Sequence, residues 1–222
     1  MRVIITAATV AEWMPSFLNI NALYTGESQR LKLQYHQSGI GMLATSYAIT
    51  KLAIEDKPDL IIQVGIAGTF DMALPLGSVV VINEETIGDL GAEEEGKWKD
   101  LFDLKLEKSS YHPFEKRKLP NQWLHQYNLL GLKEVSGITV NEITTNQDRI
   151  QKLAKKFNPV IESMEGAALH YVARESNIPF IQIRSISNYI GERDKSKWQM
   201  KTAIDNLNQT LLQYIDRLYQ IA

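Results

Sequence analysis

Short apolar runs bounded by glycine, proline or small residues alternate along the chain with segments whose apolar residues recur every three or four positions. Apolar runs bounded in this way predict buried strands, here at 2–8, 59–64, 78–82 and 179–187. The three-to-four spacing predicts amphipathic helices, here at 42–55, 164–176 and 197–219. Strands that alternate with helices indicate a layered α/β protein with helices on both faces of its sheet.

The chain has 222 residues, which is enough for one large domain or two small ones. No internal repeat or low-complexity segment divides it. Its least regular part is the polar stretch 88–120, which we interpret as a surface excursion and not as a linker. We therefore predict a single domain over residues 1–222.

Composition excludes several classes of function. The formal net charge is -2, which argues against the broad basic surface of a nucleic-acid-binding protein. The chain has no cysteine, so thiol catalysis and cysteine-ligated zinc are excluded, and its histidines lack the spacing of a zinc site. No apolar run approaches the roughly 20 residues that span a bilayer. We expect no metal, no cofactor, no nucleic-acid or membrane partner, and a cytoplasmic location.

Two glycine-containing turns follow strand-like runs and could bring backbone N–H groups close to a ligand. Gly39–Ala44 matches the G-x-G-x-x-A pattern of dinucleotide sites, but the next strand ends in uncharged Gln63-Val64 and not in an acidic residue. We favour a plain tight turn there. Gly65–Gly68 lacks the Lys-Ser/Thr of a P-loop, and we interpret it as a sharp exit from a strand.

Glu165 stands at the predicted start of a helix, where the helix dipole alone explains an acidic residue. Two observations favour a ligand-binding role. Small residues follow it, and the strand-like segment 159–161 precedes it, which places it at the edge where α/β sheets bind ligands. A carboxylate there could accept hydrogen bonds from both hydroxyls of a ribose.

Arg184 interrupts an apolar strand, and an unpaired buried charge is costly. The strand has either one polar face, shared with Gln182, or an Arg184 that pairs with a carboxylate near a site. Glu12 is a candidate partner, although it could equally be a solvated helix residue. Asn188 ends the same strand; asparagine is typical of turns there, and its amide also suits the edge of a purine.

Together these segments resemble the nucleoside phosphorylase and nucleosidase superfamily over nearly the whole chain. The strongest signatures are Ser163–Ala168 and Arg184–Asn188, supported by Ser38–Gly41, Gly65–Gly68 and Leu76–Val81. The resemblance implies a single-domain, three-layer α/β/α fold with a central mixed sheet, of the nucleoside phosphorylase type. It also implies a small-molecule purine nucleoside as substrate and a homo-oligomer, a dimer or higher, in which a neighbour can contribute to the site.

The same resemblance implies roles for individual residues. Glu12 would be the base that activates water, and Arg184 would help to hold that water. Met164 and Glu165 would bind the ribose. The purine would lie near Ala67, Gly68, Val140, Asn141, Ser187 and Asn188. No arginine follows the first strand or stands beside Gly39–Gly41, and this favours water over phosphate as the nucleophile.

Asn188 departs from the adenine-releasing members of the superfamily, which carry aspartate at this position. Aspartate can protonate N7 of the leaving base, whereas asparagine can only donate a hydrogen bond to N7 or to a 6-oxo group. Because a site built for one hydrogen-bond pattern rejects another, we predict hypoxanthine as the leaving base. Adenine-releasing nucleosidases, phosphorylases and a non-catalytic nucleoside- or NAD-binding module remain alternatives.

Overall fold

The computed structural model describes residues 1–24 and 30–221. Its strands are β1 (Arg2–Ala7), β2 (Lys32–Gln37), β3 (Leu60–Thr69), β4 (Val79–Ile87), β5 (Gly91–Glu94), β6 (Lys97–Asp100), β7 (Leu119–Pro120), β8 (Lys133–Thr139), β9 (Ile161–Ser163) and β10 (Phe180–Tyr189). Its helices are α1 (Met14–Tyr24), α2 (Gly41–Glu55), α3 (Leu124–Tyr127), α4 (Gln147–Phe157), α5 (Gly166–Glu175) and α6 (Met200–Ile221).

The central sheet has the order β10-β4-β8-β9-β3-β1-β2, with β7 on β4, and β10 also pairs with β3. Strands β10, β4, β8, β9 and β3 therefore form a closed ring, from which β1 and β2 extend. Pairing is antiparallel between β10 and β4 and between β3 and β9, and parallel along β2, β1, β3 and β10. The predicted α/β fold with a mixed central sheet is confirmed.

Helices pack on both faces because successive strand residues point to opposite sides. Ile62 and Ile181 belong to the core beneath α6, together with Leu211. Their neighbours Ile61 and Phe180 belong to a separate core beneath α2 and α5. The two cores give the three layers that the alternation of strands and helices predicts. Among the described residues, no helix combines the length and apolar character needed to cross a membrane.

Several predicted boundaries are corrected by the structure. β3 continues to Thr69, so Gly65–Gly68 is paired with β10 and is not the predicted turn. β4 likewise continues to Ile87, and the strand expected at 159–161 is Ile161–Ser163. α5 begins at Gly166, which leaves Glu165 as the residue that precedes the first helical turn. Each shift lies at a strand or helix end, where tertiary pairing and not periodicity decides the boundary.

The polar stretch 88–120 contains an antiparallel hairpin of β5 and β6, followed by β7 at the edge of β4. Asp100 ends the hairpin, and its carboxylate pairs with Arg117 at 3.2 Å and with Lys156 of α4 at 3.1 Å. Asp103 binds the same two cations. We call these four residues the surface ionic cluster. It joins this stretch to α4 through Asp100, which is buried, and three charged side chains that are partly exposed to solvent.

Candidate active site

Four of the predicted side chains are brought to one edge of the sheet. β1, β3 and β10 are parallel neighbours, so their carboxyl ends meet at the same edge. Glu12 follows β1, Arg184 and Asn188 lie on β10, and Glu165 stands immediately before α5. All four except Asn188 are buried, with exposed fractions of 8% or less. In open α/β sheets, this edge is where ligands bind.

Glu12 ends a short 3-10 turn, and three backbone or side-chain donors fix its carboxylate. Its Oε2 accepts hydrogen bonds from the backbone N–H of Thr9 at 2.9 Å and from the Thr9 hydroxyl at 3.0 Å. Its Oε1 accepts from the backbone N–H of Ile66 at 3.3 Å. The side-chain amide of Asn208 on α6 donates to the Glu12 carbonyl. The carboxylate is thus held in one orientation, with Oε1 toward β3.

Arg184 is 1% exposed and lies across the backbone of β3. Its Nη2 donates to Oε1 of Gln63 at 2.9 Å, and its Nη1 lies 3.6 Å from Oε2 of Glu165. A Cβ atom on Gly65 would stand 2.2 Å from Nη1, so the guanidinium requires glycine there. The ion pair found is with Glu165 and not with the predicted candidate Glu12, whose oxygens already bind Thr9 and Ile66.

Glu165 lies between two helix starts. Its Oε1 accepts a hydrogen bond from the backbone N–H of Gly41 at 3.1 Å, and its Oε2 faces Arg184. Gly39 and Gly41 have positive φ angles of 82° and 87°, which glycine adopts without strain. The turn predicted at Gly39–Ala44 therefore holds a carboxylate of the protein itself. One carboxylate oxygen faces a neutral donor and the other faces a cation.

Asn188 follows a β-bulge that shifts the pairing of β10 with β3 and sets its amide over Gly68. The Ser187 hydroxyl is 2.8 Å from Oδ1 of Asn188 and 3.2 Å from the carbonyl of Ala67. The Nδ2 of Asn188 donates to the Tyr189 carbonyl at 3.1 Å and lies 3.2 Å from where a Gly68 Cβ would be. Ser187, Asn188 and the backbone of Ala67 and Gly68 thus lie together, with Asn188 and Gly68 partly exposed.

The other predicted binding residues lie apart from this hydrogen-bonded set. Val140 is fully buried, and Met164 is half-buried beside Glu165. Asn141 is exposed, and its amide donates to Asp89 at 3.3 Å. No hydrogen bond among the described residues joins the side chains of Val140, Asn141 or Met164 to the rest of the set. Their roles in binding stay predictions.

Sequence reasoning missed three groups at this edge. Gln63 orients Arg184, Gly41 donates to Glu165, and Glu85 lies fully buried on β4. Burial raises the pKa of Glu85 to about 7, more than its hydrogen bonds and the charge of Arg184 lower it. The available signal was polar residues at strand positions, Gln63 on β3 and Glu85 on β4, where apolar residues are expected.

Comparison with known proteins shows the family of this chain. A family model described as the phosphorylase superfamily matches residues 14–216, so the chain belongs to that superfamily. It is 28% identical to futalosine hydrolase of Thermus thermophilus over 78% of this chain and 76% of that protein. It is 25% identical to the 5'-methylthioadenosine/S-adenosylhomocysteine nucleosidase of Pseudoalteromonas translucida, over 90% and 86%.

Solved structures support the same fold. A 5'-methylthioadenosine/S-adenosylhomocysteine nucleosidase from Colwellia psychrerythraea, determined in complex with adenine, superposes with a TM-score of 0.78 at 21% identity. The match covers 98% of this chain and 96% of that one. Both curated relatives are named as enzymes that act on N-glycosidic bonds, and the chain is an enzyme of this superfamily.

Proposed function

We propose that this enzyme is a purine nucleosidase that hydrolyses futalosine to hypoxanthine and dehypoxanthine futalosine, a reaction of menaquinone biosynthesis. Hypoxanthine is proposed as the leaving base because Asn188 places a neutral amide beside Gly68. Hydrolysis is proposed because Glu12 places a fixed carboxylate, which can act as a base toward water, at the same edge of the sheet. Relatives named futalosine hydrolase, at 28% and 27% identity, support the proposal.

The reaction would pass through an oxocarbenium-like transition state. Glu12 takes a proton from water, whose oxygen forms a bond to C1′ of the ribose as the bond from C1′ to N9 breaks. The electron pair of that bond leaves with the purine, which gains a proton from solvent. Glu165 accepts hydrogen bonds from the ribose hydroxyls, and its negative charge favours the positive charge that develops on the sugar.

The base would be selected by the donor that Asn188 presents. Its Oδ1 is engaged by the Ser187 hydroxyl, which directs the NH₂ group away from Ser187. One proton of that NH₂ group is given to the Tyr189 carbonyl. The other can donate to N7 or O6 of a 6-oxopurine, whereas adenine offers N7 alone. The 6-oxopurine therefore presents one acceptor that adenine lacks, and a site built for one hydrogen-bond pattern discriminates against another.

A second candidate is 5'-methylthioadenosine/S-adenosylhomocysteine nucleosidase activity. Relatives with that name are 24–28% identical to this chain and match up to 90% of it. Both candidates use the same water and the same ribose carboxylate, and they differ in the leaving base. Two alternatives belong to other functional classes. One is a phosphorylase, and the other is a nucleoside- or NAD-binding module without catalytic activity.

One incubation series separates these possibilities. The full chain is incubated with futalosine, inosine and 5'-methylthioadenosine, with and without phosphate, and free base is measured by chromatography. We expect hypoxanthine from futalosine at a rate independent of phosphate. Faster release of adenine from 5'-methylthioadenosine would establish the second candidate. A requirement for phosphate would establish a phosphorylase, and binding without base release would exclude catalysis.

We also propose that the enzyme is a homo-oligomer, with α2 at the contact. Leu43, Tyr47 and Ile54 are 86%, 72% and 67% exposed, and their spacing places them on one face of α2. The same helix begins at Gly41, whose N–H holds Glu165, so a second copy on this face would adjoin the site. Leu43→Glu should convert the oligomer to a monomer in analytical ultracentrifugation. Leu106→Glu, at a leucine that is also exposed but lies outside α2, is the control. An unchanged sedimentation coefficient would contradict this contact.

A further inference from the structure

A fully buried carboxylate on β4 has no part in the proposed chemistry but lies beneath the start of α5. Glu85 accepts a hydrogen bond from the Thr139 hydroxyl at 2.9 Å on one oxygen. Its other oxygen accepts from Nε2 of Gln182, also at 2.9 Å. The three side chains come from three different strands, β4, β8 and β10. A carboxylate in such a position is costly unless each oxygen is satisfied.

Two glycines leave the space that this carboxylate occupies. A Cβ atom on Gly166, the first residue of α5, would stand 2.0 Å from Oε1 of Glu85. A Cβ atom on Gly137 of β8 would stand 2.5 Å from the same oxygen. The backbone of α5 therefore rests directly on the Glu85 carboxylate. The residue just before this contact is Glu165.

Hydrogen bonds continue from Glu85 into the first turn of α5. The Thr139 hydroxyl, which donates to Glu85, accepts from the backbone N–H of Ala167 at 2.8 Å. Gln182, which donates to the other oxygen, lies two residues before Arg184 on the same face of β10. Glu85 is thus linked to both partners in the Glu165–Arg184 ion pair. A loosened α5 start would move the Glu165 carboxylate away from Gly41 and Arg184.

We propose that Glu85 is a positioning residue for ribose binding: its ionised carboxylate fixes the start of α5 and so holds Glu165 in place. This inference rests on the proposed role of Glu165 in binding ribose. Both side-chain partners of Glu85 are donors, since the one proton of Thr139 points to Glu85 while its oxygen accepts from Ala167. A protonated carboxyl would turn a hydrogen toward one of these donors, so only the ionised form fits both.

Ionisation of Glu85 therefore connects ribose binding to pH. Burial raises its pKa to about 7, so the fitting form is lost as pH falls through that value. The charged side chain that acts on it is Arg184 of β10, which lowers this pKa. On α5, His170 is neutral because burial lowers its pKa to about 3. Because the pKa of Glu85 is raised on folding, this group contributes to the free energy of unfolding below pH 4.5, and the contribution is lost as pH rises through 7. A rise in pH therefore lowers this contribution to stability while it favours ribose binding.

Glu85→Gln in the full chain tests this role by calorimetric titration with inosine and with hypoxanthine, which lacks the ribose. The amide satisfies only one of the two donors. We expect inosine to bind at least about tenfold more weakly, the effect of loosening one charge-assisted hydrogen bond, with hypoxanthine unaffected. The melting temperature at pH 8 should be unchanged or higher, because a buried charge is removed. Wild-type inosine affinity should fall below pH 7, and that of the variant should not.

Two further variants separate positioning from general stability. The first combines Glu85→Gln with Gln182→Glu. The amide at position 85 can then accept from Thr139 and donate to the carboxylate at position 182. Inosine affinity should therefore return to within about threefold of wild type. Asp100→Asn removes a carboxylate of the surface ionic cluster and should lower the melting temperature without changing inosine affinity.

Equal loss of inosine and hypoxanthine binding in Glu85→Gln, in parallel with the melting temperature, would show a purely structural residue. Unchanged inosine affinity would also overturn the positioning role. The proposed function fails on a different result, the absence of base release by the wild type, and titration with inosine tests Glu85 even then. A wild type that binds inosine no more tightly than hypoxanthine would overturn the ribose-binding role itself.

Discussion

The enzyme contains two groups of charged side chains, one buried throughout and one partly exposed, and the pKa values of Glu85 in the first and Asp103 in the second are shifted in opposite directions. At the start of α5, Glu85, Glu165 and Arg184 are buried, and burial raises the pKa of Glu85 to about 7. In the surface ionic cluster, Lys156 and Arg117 lower the pKa of Asp103 well below its usual range. Ionisation of Glu85 costs stability, whereas the pairing of ionised Asp103 contributes to it. Buried charge that is not needed for stability indicates a function, and we expect mutations to separate the two groups accordingly.

The largest effect is expected for Glu12→Gln, at the edge of the buried group. The amide keeps the size of the side chain but cannot accept a proton from water. General base catalysis contributes about 10²–10⁴-fold, so kcat for futalosine should fall at least about a hundredfold. Circular dichroism and the melting temperature should stay close to wild type, because the contacts with Thr9 and Ile66 can be retained in part. Wild-type turnover would remove Glu12 from the mechanism.

A smaller effect, on selectivity, is expected for Asn188→Asp. Aspartate can share a proton with N7 while it accepts from a 6-amino group, whereas the amide of asparagine has no acidic proton to share with N7. The ratio of kcat/KM for 5'-methylthioadenosine over futalosine should rise by about tenfold or more, the usual effect of one buried hydrogen bond. Thr69→Ser, at a buried hydroxyl that binds the Val160 carbonyl, is a control for disturbance of β3. An unchanged ratio would leave hypoxanthine without its main support.

A site contact can be predicted from the sequence when its two residues are close along the chain, and it cannot when they are far apart. Glu165 was identified because small residues follow it in sequence, and Arg184 because it interrupts an apolar strand. The hydrogen bond from Gly41 to Glu165 joins positions 124 residues apart, so no local pattern contains it. Arg184 was expected near Glu12, but the carboxylate of Glu12 is taken by local backbone donors.

Glu85 was missed for a related reason. The predicted strand stopped at 82, because Asn83, Glu84 and Glu85 interrupt the apolar run. The structure continues β4 through all three, since β8 pairs with it from Val80 to Ile87, with an irregularity at Asn83. A polar residue in a strand is read as the end of that strand unless its partners are known, and those partners lie on β8 and β10. Sequence periodicity therefore predicts the strand and helix layers, but it does not identify buried polar residues such as Glu85.

The smallest effect is expected for Asp103→Asn in the surface ionic cluster. Its partners Arg117 and Lys156 are 43% and 25% exposed, and pairs of this kind contribute about 0.2–1 kcal/mol. The melting temperature at pH 7 should fall by at most about 2–4 °C, with kcat unchanged. A lowered carboxyl pKa contributes stability above its ordinary value, and this stability is lost progressively as pH falls from the ordinary value toward the lowered one. The variant and wild type should therefore approach each other in acid. Calorimetric scans between about pH 3 and about pH 8 measure the difference in melting temperature between each variant and wild type. Glu85→Gln, which should not lower the melting temperature at pH 8, is the comparison. If both variants shifted the melting temperature in the same direction at pH 8, the contrast between the buried and exposed groups would be wrong.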